Sequence, residues 1–448
     1  MTLATIPRYD PDRITKQSGH AVVVGASMAG ILAAHVLADR FETVTLLERD
    51  SLPDGAVARP GVPQGNQIHV MLTAGQSTLE DFFPGYSDEL TTAGAIESDL
   101  RSDLKVYGEG GFLAAGENRI PLFSASRPLF EHVTRRRLGE RNGVTIRDEC
   151  HFVDYLVDDD SSVEGVTVRT GDGLEEMATE MVVDASGRTS RTPTWLASHG
   201  YPAPPTDEVT VDLTYRTAIL ERPADSIDSY VVMPDPPRLR GGATYPIEHG
   251  QRILTLAGIH GDKPPADPAG FVDFAASLPV SGISRLLDEH AFISEEVHAY
   301  PFPASIRRHY GDMDRFPGGL LVIGDAIASF NPIYGQGMSV AAMEALLLHH
   351  VLATDSSDEP AVPFFERTKR VIDDAWNVAV GGDFKFPQTT GPKPFGTDFT
   401  NWYIARLTCK SHTDGTLADA FSRVVTMERR PHSLFRPGIA WRVLKPGR

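Results

Sequence analysis

Two glycine-containing segments of the 448-residue chain have the spacing of loops that hold phosphates or ring systems. The first, Gly25 to Gly30, lies between a β-branched apolar run and a helix-forming stretch. Gly25 permits a tight turn, Gly30 lets the helix pack closely on the strand, and free N–H groups at the helix start suit a pyrophosphate. Ser27 stands where the middle glycine of such a motif usually lies. Glu48, eighteen residues after Gly30, is placed to accept hydrogen bonds from an unphosphorylated ribose, as in FAD or NAD.

The second segment runs from Gly324 to Met338 and consists of a strand end with an Asp, a Pro/Gly loop and a helix start. Asp325 is placed to bind polyol hydroxyls. Gly335 and Gly337 leave backbone N–H groups free at the helix start, which suits the negative charge of a reduced flavin ring. The alternatives from the pattern alone are a plain tight turn at the first segment and a buried strand with a capped helix at the second.

The elements around these segments predict an α/β fold. Strand 20–25, helix 28–38 and strand 43–48 are typical of the start of a parallel sheet with a right-handed crossover. An antiparallel, β-rich pattern occupies 208–259, after which an apolar strand returns at 319–325.

A chain of this length needs more than one packed unit. We therefore predict a Rossmann-like FAD-binding domain with an inserted antiparallel β-sheet substrate domain and a C-terminal helical extension. The predicted boundaries are 18–201 and 311–385 for the two parts of the FAD-binding domain, 202–310 for the inserted domain and 386–448 for the extension.

Composition excludes several classes of function. Sixty acidic residues against 42 basic ones give a formal charge of −18, which disfavours binding to nucleic acid or anionic lipid. This acidity fits ordinary solubility or a salt-rich host. Cys150 and Cys409 are too few for a disulfide framework, and no metal site is predicted. The first twenty residues lack an apolar signal-peptide region, so we expect a cytoplasmic protein.

An uncharged stretch between Ala21 and Ala38 is long enough to be considered as a membrane span. Gly25 and Gly30 interrupt it, and its two halves differ in character. A buried strand, a glycine turn and a helix explain it better, so no stable membrane insertion is expected.

The chain resembles the FAD-binding, aromatic-hydroxylase type (group A) of monooxygenases, and among them most closely the flavin epoxidases of polyether biosynthesis. The resemblance spans most of the chain and is carried by Gly25–Gly30, Glu48–Asp50, Arg59–His69, Ser126–Arg127, Asp184–Arg188 and Gly324–Met338. Asn66 and Gln67 depart from the Arg-His pair common in the family, and Ala185 replaces a frequent glycine.

The resemblance implies roles for individual residues. Arg49 would flank the adenosine, Phe152 would meet adenine through its backbone, Arg127 would reach the phosphate–ribityl region, and Asp325 would hold the ribityl or pyrophosphate end. The full set of predicted cofactor contacts is Gly25, Ser27, Met28, Ala29, Gly30, Glu48, Arg49, Arg59, Gln64, Arg127, Phe152, Asp184, Gly324, Asp325, Gly335, Gly337 and Met338. His69, Tyr215 and Tyr334 are candidates for lining the substrate pocket.

The implied reaction is epoxidation or hydroxylation of a small apolar organic substrate, using NADPH or NADH, O2 and a flavin C4a-hydroperoxide. Only one dinucleotide-type site is visible, so nicotinamide would bind transiently, or a separate reductase would supply the electrons. A reductase of prenyl or polyene double bonds is the main alternative, and an FAD-binding electron carrier is a third. The scattered tryptophans lack the Trp-x-Trp-x-Ile-Pro signature of flavin halogenases.

Overall fold

A parallel five-stranded sheet forms the centre of the molecule. The computed structural model describes residues 6–116, 118–159, 162–223, 226–294, 296–354 and 359–446. In spatial order, the strands of this sheet are Leu320–Val322, Met181–Asp184, Gln17–Val24, Phe41–Leu47 and Val144–Arg147. The predicted strand–helix–strand start is confirmed, with helix Met28–Arg40 as the crossover.

The register of this sheet brings both glycine segments to one edge. Val24 pairs with Leu47 on one side and with Asp184 on the other, and Asp184 pairs with Val322. All these pairings are parallel, so the four strands end at the same level. The loops that follow therefore meet at the carboxyl edge, where open α/β sheets bind ligands.

A mostly antiparallel eight-stranded sheet forms a second layer, as predicted. In spatial order, its strands are Ala328–Ser329, His298–Arg308, Thr206–Glu221, Gln251–Gly258, Arg240–Ile247, Ser229–Val232, Leu104–Gly108 and Gly111–Phe112. The sheet thus combines strands of the predicted inserted domain (202–310) with short strands from both predicted parts of the FAD-binding domain (18–201 and 311–385). Two three-stranded sheets complete the β-structure. The strands of one, in spatial order, are Gly173–Ala178, Val163–Thr170 and His151–Val157. Those of the other are Val70–Met71, Pro121–Ser124 and Ile96–Asp99.

The remaining helices pack around these sheets. They are Thr73–Phe82, Tyr86–Thr92, Arg127–Gly139, Thr192–Ser198, Pro268–Ala276, Gly282–Glu289, Gly337–Thr354, Ala361–Asp383, Thr397–Ser411, Gly415–Val425 and Pro437–Leu444. Within the described ranges, Gly337–Thr354 is the one helix long and apolar enough to cross a membrane, but 83% of that window is buried inside the protein. It is accordingly a core helix, and it begins at the second glycine segment.

The last three helices form a small core of their own and lie against the body of the protein. Tyr403, Leu407, Leu417 and Val424 are buried among them. Arg101 Nε donates to Asp419 Oδ1 at 2.8 Å and ties these helices to the rest of the chain. The predicted C-terminal extension is therefore a packed layer.

Candidate active site

One cavity of about 1130 Å³ connects the carboxyl edge of the parallel sheet with the antiparallel sheet and the C-terminal helices. All the predicted site residues line it except Gly30 and Gly324. The C-terminal layer contributes Asn401 and Ile404 of helix Thr397–Ser411, and Leu434 from the segment before the last helix. The structure thus brings together segments that are more than 300 residues apart in the chain.

The first glycine turn has the backbone geometry that its sequence predicts. Gly25 has a φ of +105°, and a Cβ there would lie 2.6 Å from the carbonyl oxygen of Ala185. A Cβ on Gly30 would lie 1.8 Å from the carbonyl oxygen of Gly25. Neither glycine can carry a side chain without movement of the backbone, because such contacts are shorter than van der Waals distance. The turn therefore leaves the start of helix Met28–Arg40 open to the cavity.

Ser27, at the start of that helix, forms a group with three buried charged residues, which we call the Ser27 cluster: Ser27, Arg59, Arg127 and Glu131. Ser27 Oγ donates to Glu131 Oε1 at 2.8 Å and accepts from Arg127 Nη2 at 2.7 Å. Burial raises the pKa of Glu131, but Arg127 and Arg59 outweigh this effect and leave the pKa below its ordinary value. Glu131 is thus an anion at neutral pH.

Arg59 occupies the centre of this charge network. It lies 2.9 Å from Glu48 Oε2, 3.0 Å from Asp50 Oδ2 and 3.4 Å from Glu131 Oε2. Glu48 also accepts hydrogen bonds from the backbone N–H groups of Ala26, Arg49 and Asp50. Glu48 therefore fixes the backbone of the turn, and it lies at the wall of the cavity.

Asp184 organises the loop after its strand. Its carboxylate accepts from Ser186, Ser190 and Thr192 hydroxyls, each at 2.5 Å, and from the Ser186 N–H at 2.9 Å. All four donors come from the residues directly after the strand. Asp184 consequently positions the loop that faces the cavity.

Asp325, at the second segment, faces the cavity without a hydrogen bond from any described residue. Burial raises the pKa of its carboxyl, against the opposing effect of Arg127, Arg188 and Arg308. Gly324 has a φ of +70°, and a Cβ there would lie 2.6 Å from that of Ala29. The glycine therefore allows the Asp325 turn to lie directly against the first helix.

A buried acid, Glu344, supports this turn. Its Oε2 accepts from the Gly324 N–H at 2.7 Å, whereas Oε1 is buried and lacks a partner among the described residues. Burial raises the pKa of Glu344 to about 8, so its carboxyl is neutral at pH 7. Gln336 likewise retains a buried, unpartnered Oε1 at the cavity wall.

Asp383, at the end of helix Ala361–Asp383, is a titratable group of the cavity that the sequence analysis missed. Its Oδ1 accepts from Asn331 Nδ2 at 2.7 Å and from the Tyr334 hydroxyl at 3.4 Å. Its Oδ2 is buried and has no partner among the described residues. Burial raises the pKa of Asp383 to about 7, although both hydrogen bonds oppose the shift. The group can therefore hold or release a proton near neutral pH.

The predicted pocket residues differ in their chemistry. His69 Nδ1 lies 2.9 Å from the carbonyl oxygen of Gln67, which requires Nδ1 to be the donor. Burial, together with the nearby Arg127 cation, lowers the pKa of His69 to about 3. His69 is thus a neutral imidazole, whereas Tyr215 is a buried phenol and Tyr334 a half-buried one, and desolvation raises the pKa of both.

Two signals in the sequence pointed to residues that were missed. Glu131 follows Arg127 by four residues, which is the spacing of a helical ion pair. Asp383 follows a Gly-Gly pair, and a Cβ on Gly382 would lie 2.2 Å from the Tyr334 hydroxyl oxygen. Over the described ranges, no group of three His, Cys, Asp or Glu side chains is placed to hold a metal ion.

This architecture is that of the FAD-dependent oxidoreductases. The crystal structure of PqsL from Pseudomonas aeruginosa, described as a probable FAD-dependent monooxygenase, superposes with a TM-score of 0.58 at 15% identity, covering 83% of this chain and 97% of that one. No protein-family model matches the sequence. Protein Rv3254 of Mycobacterium tuberculosis is 31% identical over 440 residues, which cover 92% of this chain and 90% of that protein. The chain belongs to the same family as Rv3254.

A second curated relative carries a functional name. Digeranylgeranylglycerophospholipid reductase 2 of Methanopyrus kandleri is 25% identical over 381 residues, which cover 82% of this chain and 84% of that protein. The similar structure is thus described as a probable monooxygenase, whereas this relative is named as a reductase.

Proposed function

We propose that the protein is an FAD-dependent monooxygenase that uses NADPH or NADH and O2 to epoxidise or hydroxylate an apolar organic substrate. The observation that carries the proposal is the shared cavity. Both glycine segments open into one space that continues between apolar side chains such as Val231, Phe302 and Phe386. A cofactor and an apolar substrate would therefore lie side by side, screened from water.

The residues present fit FAD. Gly25 and Gly30 keep the first helix start clear, as their short Cβ distances require. A Cβ on Gly337 would meet no atom within 4 Å, so the second helix start is open as well. Arg127 Nη1 and the Asp325 carboxylate have no hydrogen bond to a described residue, and they face the same cavity. They would hold the phosphate and the ribityl hydroxyls, with Glu48 at the adenosine ribose.

Bound FAD would supply the two-electron chemistry, after reduction by the nicotinamide or by a separate reductase. The chain would contribute positioning and exclusion of water. The neutral His69 would accept a hydrogen bond through Nε2. Tyr215, whose hydroxyl keeps its proton, would donate a hydrogen bond to a polar group of the substrate, whereas the Tyr334 hydroxyl donates to Asp383. In epoxidation, one oxygen atom of O2 enters the alkene, and the other leaves as water.

Reduction of a carbon–carbon double bond is the second candidate, and Asp383 favours it. Such a reduction adds a hydride to one carbon and a proton to the other, so it needs a proton donor in the cavity. Asp383, with a pKa of about 7 and an unpartnered Oδ2, is suited to that role. The name of the Methanopyrus relative points in the same direction.

An isotope experiment separates the two reactions. The purified yellow protein is incubated with NADPH and a polyprenyl or polyene alkene under ¹⁸O2, and in parallel without oxygen. We expect one labelled oxygen atom in the product and no turnover of substrate without oxygen. A product that gains two hydrogen atoms under anaerobic conditions would replace the monooxygenase with the reductase. If the protein is a reductase, Asp383→Asn should abolish its activity. If it is an epoxidase, the variant should retain most of its activity.

A further inference from the structure

The C-terminal layer carries exposed apolar side chains that we call the aromatic face. It consists of Phe395, Phe399, Trp402, Phe435, Trp441 and Leu444. Their exposure ranges from 40% to 108%, and among the described residues they make up six of the twelve large hydrophobic side chains that are exposed. Scattered exposed apolar residues need no explanation, but such a concentration marks an interaction surface.

Ring contacts join Phe399, Trp402 and Phe435, and Trp441 and Leu444 lie on an adjacent helix. The Phe399 ring centroid lies 5.8 Å from that of Trp402 and 6.3 Å from that of Phe435. Trp441 and Leu444 are three residues apart on helix Pro437–Leu444, so they share one side of it. Arg406, one turn after Trp402, donates to the Val443 carbonyl oxygen at 2.7 Å and joins the two helices.

The charge of this part of the chain is opposite to that of the rest. Residues 386–448 contain ten Lys or Arg and four Asp or Glu, a formal charge of +6, which leaves −24 on the preceding 385 residues. Arg436 follows Phe435 and Lys445 follows Leu444, and both are exposed. Neither side chain donates a hydrogen bond to a described residue. The aromatic face therefore has cations at its border that are free to meet an anionic partner.

We propose that the aromatic face binds the surface of an anionic lipid bilayer. Trp and Phe side chains favour the interface between headgroups and acyl chains, and adjacent Lys and Arg bind anionic headgroups. The negative net charge of the whole chain predicts repulsion from an anionic bilayer. At physiological salt, however, charges are screened beyond about 8 Å, so the cations beside the aromatic face determine the local interaction. Binding would be peripheral, because the helices here are short and half-polar.

This placement would connect the bilayer to the cavity. Phe435 belongs to the aromatic face and also lines the cavity, as do Thr400 and Asn401 of the adjacent helix. An apolar substrate dissolved in the bilayer would then enter without crossing water. This consequence rests on the proposed function, whereas lipid binding itself does not.

Vesicle binding tests the proposal directly with the full chain. Trp402 and Trp441 are exposed, whereas Trp195 and Trp376 are buried, so tryptophan emission reports on the aromatic face. We expect a blue shift and co-sedimentation with vesicles of about three parts phosphatidylcholine to one part phosphatidylglycerol, and little of either with phosphatidylcholine alone. Salt near 1 M should weaken binding, because it shortens the screening length to about 3 Å.

Paired variants identify the surface. Phe395→Ser/Trp441→Ser and Arg436→Glu/Lys445→Glu should each weaken partitioning at least about tenfold. The matched controls, Leu174→Ser and Arg169→Glu, change exposed residues on strands Gly173–Ala178 and Val163–Thr170, away from the C-terminal helices. They should bind vesicles as the unchanged protein does. Equal binding by all variants, or no binding to anionic vesicles at low salt, would overturn the proposal. So would a dimer in solution that the Phe395/Trp441 variant dissociates, because a second copy would then cover the face. The paired variants should keep the activity of the unchanged protein on a water-soluble substrate. A loss of vesicle binding without a loss of this activity distinguishes the lipid-binding proposal from the proposed reaction.

Discussion

Two regions of the cavity differ in how completely their polar groups are paired. In the Ser27 cluster, the Glu131 carboxylate accepts from Ser27, Arg127 and Arg59. In the region 324–383, by contrast, Gln336, Glu344 and Asp383 each keep a buried oxygen without a described partner. An unpaired buried polar atom costs about 1–3 kcal/mol. The first region is therefore paired within the protein, whereas in the second Gln336 and Asp383, which line the cavity, keep oxygens available to a ligand.

The largest expected effect comes from the glycine turn below the Ser27 cluster. Gly30→Ala places a Cβ 1.8 Å from a backbone oxygen, so we expect a loss of more than about 3 kcal/mol in the free energy of unfolding, measured in urea. Gly337→Ala is the matched control, because its Cβ would meet no atom within 4 Å. Equal stability of the Gly30 variant and the unchanged protein would mean that the helix does not pack on the strand as described.

Removal of an acid from the paired cluster should cost nearly as much. Glu131→Ala leaves Arg127 buried without its ion-pair partner and removes one of the three acids around Arg59, so we expect a loss of about 3 kcal/mol in unfolding free energy. Glu175→Ala removes the partner of Arg147 in an exposed pair and should cost less than about 1 kcal/mol. If the two variants were equally stable, the contrast between the regions would lose its basis.

The unpaired region should respond to pH in a characteristic direction. The native pKa of Asp383, about 7, lies above the ordinary value of 3.8, so its contribution to stability is full below about pH 4 and is lost as pH rises through 7. The unfolding free energy of Asp383→Asn, relative to that of the unchanged protein, should therefore rise by up to about 4 kcal/mol between pH 4 and pH 8. Thermal unfolding at several pH values measures this. A difference that did not vary with pH would show that Asp383 titrates normally.

Asp325 should have the smallest effect on stability and a clear one on cofactor binding. Asp325→Ala removes no protein hydrogen bond, so the cofactor-free variant should unfold like the unchanged protein. Its affinity for FAD should fall about tenfold to a hundredfold, the range of one or two hydrogen bonds to a charged group. Fluorescence titration with FAD measures this, with the exposed Asp172→Ala as control. Unaltered FAD affinity would remove Asp325 from the site.

The comparison also shows which features the sequence could predict. Gly25, Gly30 and Glu48 are local signals, because turn geometry and strand ends follow from spacing along the chain. Helix Ala361–Asp383 was not predicted, although its buried residues Phe364, Val371 and Ala375 recur at helical spacing. The role of Asp383 depends on Asn331 and Tyr334, which approach it only in the folded chain. Its pKa shift could not be predicted, because burial by distant segments causes it.

The C-terminal wall of the cavity illustrates the same limit. Asn401 and Leu434 line the cavity, and contacts such as Arg101 with Asp419, more than 300 residues apart in the chain, hold the last helices against the body. No local pattern encodes that contact. The whole-chain charge of −18 likewise conceals the positive C-terminal segment.

The most direct test of the account is a comparison of FAD with FMN. FMN lacks the adenosine that Glu48, Arg49 and Phe152 are expected to hold, but it retains the ring and ribityl chain expected at Asp325 and Gly337. Titration of the cofactor-free protein should give one FAD per chain, bound at least about a hundredfold more tightly than FMN. Failure to bind FAD, or equal binding of the two flavins, would contradict the claim that both glycine segments hold one dinucleotide.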